Sequence, residues 1–166
     1  MEEQDFSRSG KLPFPMVILF QLSMLGLSLQ SEGNNFFKDL TDSPLPTHWV
    51  SAAALFKARF KVKSEAFQSL LHHLSDLYYS HNNVPLWHGH RLVAVDGSTL
   101  NLPSGEAISK AFGGQHQSGR LCPMARASFA YDPYSRVLID AMIAPYKSAE
   151  QDLLAMHTSR FKAQCH

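Results

Sequence analysis

Cysteine is scarce. Cys122 and Cys165 are the only two in 166 residues, too few for a disulfide framework, so a reducing cytoplasm suits the chain. Excess charge is missing too. The formal net charge is +1, with eight basic and eight acidic groups in residues 1–91 and seven and six in residues 92–166. A free-standing nucleic-acid binder usually shows a clearer basic surplus, and this balance counts mildly against one. No internal repeat or low-complexity tract interrupts the chain. No long membrane-spanning run is present either: Met16 to Leu29, "MVILFQLSMLGLSL", has 14 residues and includes Gln21, two serines and Gly26, short of the ~20 a bilayer needs. Its leader carries three acids to two bases and no small-x-small cleavage site follows, which argues against a signal peptide. Pro15 suits the first turn of a helix, and the run reads as a buried helix that is apolar on most faces.

What is present is globular. Apolar residues make up 45% and charged residues 17%, and the length fits one ordinary domain or a small domain plus part of another. Asn34 to Pro46 reads as a short helix and a loop, with "SPLP" the clearest break. Thr47 is a plausible N-cap for an alanine-rich helix over 51–58. Ser64 can cap a second helix carrying Phe67, Leu70, Leu71, Leu74, Leu77 and Tyr78 at helical spacing. Between them Phe56, Ala58, Phe60 and Val62 alternate with Lys57, Arg59, Lys61 and Lys63, a two-residue period that also fits a strand; the helical flanks favour helix, turn, helix.

After "HNNVPLWHGH" the pattern becomes β. In "LVAVDGSTLNLP", residues 92–103, four apolar residues run into Asp96. A buried strand over 92–96 would place that acid at the mouth of a cleft, whereas Asp96-Gly97 as a turn is favoured by that stretch alone. "SGEAISKAFGGQHQSG" is a polar, glycine-rich excursion with about one helical turn before Gly113. Segments 124–131 and 136–144 flank "DPYS" as an antiparallel hairpin. Ser148 and Gln151 have capping-box spacing for a last helix. The order helices, strand, long loop, hairpin, helix predicts an α+β chain. It comprises a helical region over 1–88, then, over 89–166, three antiparallel strands and a helix that form the opening half of a ribonuclease-H-like fold.

"DFSRSGKLPFPMVILF", "LFKARFKVKSEAF", "RLVAVDGSTLNLP" and "YDPYSRVLIDAMIAPYKSAEQDLLAMH" together resemble the N-terminal part of insertion-sequence-4-type transposases, mobile-element enzymes of the DDE class. The resemblance runs from Asp5 to about His157, in several separated blocks. It implies a helical region that engages transposon-end DNA and a core whose Asp, Asp and Glu hold two divalent ions, usually Mg²⁺. Asp96 matches the first acid and is carried over as a catalytic metal ligand. Hard cations take carboxylate oxygens, and two of them can activate an attacking oxygen and stabilise a leaving one at a phosphodiester. The family's blocks with the second Asp, resembling "DRGY", and with the Glu have no match here. The resemblance therefore implies a truncated fragment, inactive alone. A non-catalytic competitor that binds DNA or the intact transposase, and a pseudogene product without activity, are the alternatives.

The resemblance further implies transposon-end DNA and intact transposase, as a homo-oligomer, for partners, with neither a membrane nor a small-molecule substrate. Lys57, Arg59, Lys61 and Lys63 are the candidate phosphate contacts, backed by Phe56 and Phe60; a solvated helix end is the plainer reading. His72, His73, His81, His88 and His90 repeat no finger spacing and read as surface histidines. Asp132 reads as a turn residue, Asp140 as lying on the exposed face of its strand, and Glu150 as a charge at a helix N-terminus rather than a third acid. "FGGQHQSG" lacks the strand and lysine of a phosphate-binding loop.

Overall fold

The structure, a computed structural model, describes residues 12–41 and 50–163. Thr47, the "SPLP" loop and Cys165 lie outside them. Two compact units divide the chain between Ala66 and Phe67, earlier than the 88/89 boundary that composition suggests.

In the first unit, helix α1 (Phe14–Leu22) has proline in its opening turn and buries Val17, Ile18 and Phe20. Leu19 and Leu22 are exposed, so the helix is buried on one side rather than most. It also stops well before Leu29. Ser23 Oγ bonds to Phe20 O, Gly26 takes a positive φ, and the buried Glu32 accepts the Leu25 and Leu27 N–H groups on one carboxylate oxygen, both at 2.8 Å. These polar bonds satisfy a backbone that has left the helix. Helix α2 (Leu29–Thr41) and helix α3 (Ala52–Phe60) follow, and Ser51 caps α3 by accepting the Ala54 N–H. Phe20, Phe37, Val50 and Leu55 form the core of this unit.

Helix α4 (Glu65–His81) begins directly after Ser64, and the helix, turn, helix reading of this region holds. From Phe67 onward it belongs to the second unit, with strands β1 (Ala94–Asn101), β2 (Gly114–Gln117), β3 (Arg120–Asp132) and β4 (Val137–Pro145), and helices α5 (Glu106–Phe112) and α6 (Glu150–Ala163). The strand pairings are antiparallel throughout. The 13-residue β3 carries β1 on one edge and β4 on the other, and β2 pairs with its first four residues. The described residues thus form an α+β chain of six helices and a four-stranded antiparallel sheet.

Two differences from the sequence reading concern the sheet. The excursion after β1 holds a full seven-residue helix and a fourth strand, where the pattern predicts one helical turn and loop. The first strand is shifted: it starts at Ala94 and runs through Gly97 to Asn101, pairing Asp96 with Phe129 and Thr99 with Arg126. Asp96-Gly97 is therefore neither a turn nor a strand end. A long partner strand supplies ladder bonds along the whole segment, and those outweigh the weak strand preference of Asp and Gly.

Candidate functional site

β1 places Asp96 third in the strand, exposed, with its Oδ1 accepting the Gly97 N–H at 2.8 Å. A pocket of about 210 Å³ adjoins it, lined by Val95, Asp96, Gly97, Ser128 and the α6 residues Glu150, Gln151 and Leu154. Glu150 Oε1 accepts a 2.6 Å bond from the Arg126 guanidinium. In an antiparallel ladder directly opposed residues share a face, and neighbours alternate. Gly97 pairs with Ser128, and a Cβ at Gly97 would point toward Glu150 Oε1, 3.8 Å away. The Gly97–Ser128 face is the one beneath α6, so Asp96, opposite Phe129, belongs to the other face.

That geometry bears on the metal. Asp96 and Glu150 approach the pocket from different faces, and Glu150 is engaged by Arg126. Among the described residues no group of three or more His, Cys, Asp or Glu could hold a metal ion. These residues do not fit a two-ion centre.

The four basic candidates lie in the first unit. Lys57 and Arg59 are exposed in the last turn of α3, and Lys61 and Lys63 are exposed in the segment after it. Phe56 and Phe60 are 53% and 77% exposed and meet edge to face with centroids 4.8 Å apart. Side chains at every second position do not share one helical face, so the alternation is that of a helix end passing into a turn.

The second unit also contains a polar chain that sequence reasoning missed. Asp140 is buried, not on an exposed strand face. Its Oδ1 meets His72 Nε2 at 2.7 Å and its Oδ2 meets His157 Nδ1 at 2.8 Å; His157 Nε2 in turn meets Ser128 Oγ at 3.0 Å. His157 is fully buried, and His72 is half-buried while His73, His81, His88 and His90 are exposed. Burial would raise the Asp140 pKa, but hydrogen bonds from His72 and His157 hold it below its ordinary value. No spacing could have revealed this chain: its members come from α4, β3, β4 and α6.

Asp132 serves its turn as expected, accepting the Tyr134 and Ser135 N–H groups on Oδ1, each at 2.9 Å. It is also buried and takes the Tyr79 hydroxyl on Oδ2 at 3.0 Å. Burial, and then this bond to a carboxylate, push the Tyr79 hydroxyl well above its ordinary range. Arg91 lies 4.0 Å from the centre of the Tyr79 ring, a cation–π contact.

No family model matches the chain, and no curated protein or solved structure matches it either. No helix among the described residues is long and apolar enough to cross a membrane.

Proposed function

We propose that the chain is the front portion of a DDE-class transposase, with a helical DNA-engaging region ahead of a ribonuclease-H-like sheet. The observation that carries this reading is topological. A strand bearing Asp96 pairs with a long second strand, that strand pairs with a third, and a helix follows. An antiparallel trio followed by a helix is how the ribonuclease-H-like fold opens, and the four sequence blocks named above fall along the same order. The exposed Lys57, Arg59, Lys61 and Lys63 supply phosphate-binding groups ahead of it. Mg²⁺ is the ion this reading implies for the complete site, and Asp96 would be one of its ligands.

A gel-shift titration of the chain with a short duplex at several salt concentrations tests the DNA part. Replacing Lys57, Arg59, Lys61 and Lys63 with alanine should weaken binding and lower the slope of log K against log salt by about 0.9 for each phosphate no longer neutralised. An unchanged slope returns these residues to the solvated helix end. Because no second and third acid are grouped with Asp96 among the described residues, the chain alone should not cut that duplex with Mg²⁺ or Mn²⁺. Cutting that disappears in Asp96→Ala would overturn that expectation.

A further inference from the structure

We propose that Ser128 is an activated nucleophile that opens small, uncharged acyl esters at the pocket between α6 and strands β1 and β3. This inference does not rest on the transposase reading. It starts from proton placement. The Asp140 carboxylate is ionised, so His157 must carry its proton on Nδ1, 2.8 Å from Oδ2. In the neutral imidazole Nε2 is then bare and can only accept. The Ser128 hydroxyl, 3.0 Å away, is the donor to it. His72 holds the carboxylate from its other oxygen, which fixes the plane of Asp140 and through it the ring of His157. Hydroxyl, imidazole and carboxylate thus stand in the order that general-base activation of a serine requires, and a fourth group orients the third.

The surroundings select the substrate class. Ser128 is only 3% exposed, but it is a lining residue of the 210 Å³ pocket, which is the size of a short acyl group rather than a polymer. Val95 and Leu154 supply apolar wall. Among the described residues no cationic side chain lines the pocket to hold an anionic ester, and Glu150 there is already paired with Arg126, which leaves uncharged esters. In the step, Ser128 Oγ bonds to the acyl carbon while its proton passes to His157 Nε2. The ester C–O bond breaks and the alcohol leaves with that proton. Water then attacks the acyl-serine by the reverse route and releases the acid.

The test treats the whole chain with diisopropyl fluorophosphate and maps the adduct by mass spectrometry, with p-nitrophenyl acetate turnover measured alongside. The expected result is one phosphorylated residue, Ser128, with fluoride released and no labelling when the chain is first unfolded in guanidinium. His157→Gln should slow labelling and turnover by about 10²-fold or more, while amide exchange in β3 and β4 shows whether that variant keeps its sheet. A wild-type chain with protected β3 amides that stays unlabelled overturns the proposal. So does a label on another residue, labelling that survives in guanidinium, or labelling unchanged in His157→Gln. Each of those outcomes leaves the chain of bonds a cross-link between helices and sheet.

Discussion

Replacing Asp140 by alanine should be among the most damaging single changes in the second unit. The carboxylate is 3% exposed and accepts imidazole N–H bonds at 2.7 and 2.8 Å, plus the Ala141 N–H at 2.9 Å. A hydrogen bond to a charged group is worth about 1.5–3 kcal/mol net. His72 retains partial access to water and can recover some of its share, but His157 is fully buried and would keep an N–H with no acceptor. The relief of carboxylate desolvation works the other way. The balance is a loss of about 3–4 kcal/mol, against a typical domain stability of about 5–15 kcal/mol. Urea unfolding at neutral pH, combined with native-state amide exchange at Ile139 and Ala141, would measure it in this unit alone. Asp76→Ala is the control: its bond to Arg160 comes from a carboxylate 48% exposed, and such pairs contribute under about 1 kcal/mol. If Asp140→Ala costs no more than Asp76→Ala, the polar chain does not hold the helices to the sheet.

Gly114→Ala should detach β2. A Cβ there would lie 2.0 Å from the Cys122 carbonyl oxygen and 2.8 Å from its carbon, both backbone atoms that cannot rotate away. Amide exchange over 114–123 should accelerate while β4 stays protected, and unchanged exchange at Gln115 and His116 would sink the argument. Acid should destabilise the second unit through Asp132 and Asp140. Both have folded pKa values below the ordinary 3.8, because hydrogen bonds overcome the opposing effect of burial. For a lowered acid, the stabilisation is fully present above the unfolded value and is lost as pH falls through the folded one. The urea midpoint should therefore drop below about pH 3.8, and less steeply in Asp132→Asn/Asp140→Asn; equal slopes would refute the assignment.

Local patterns reached as far as the elements. Helical spacing over Phe67 to Tyr78 and the "DPYS" turn each specify short-range backbone geometry, which neighbours along the chain determine, and α4 and the β3–β4 hairpin formed where they indicate. Asp132 is a similar case, since an aspartate bonding to N–H groups two and three residues on needs no distant partner. The α+β class follows from the same local signals.

Tertiary structure decided what pairing and burial control. β1 runs past Asp96-Gly97 because β3 is long enough to pair with it as far as Asn101, and nothing within "AVDGST" records the length of a strand some thirty residues on. That extension takes Asp96 off the strand end, and strand alternation sets it on the face away from α6. Glu150 was legible as a helix-start charge, but its contact with Arg126 depends on α6 lying over β3. Asp140 shows the limit most plainly. Alternation along β4 can divide residues between two faces, but only the helices packed against the sheet decide which face is covered. Here α4 and α6 bring His72 and His157 onto the face that carries Asp140, and a carboxylate that looks solvent-bound in sequence becomes the buried centre of a hydrogen-bonded chain.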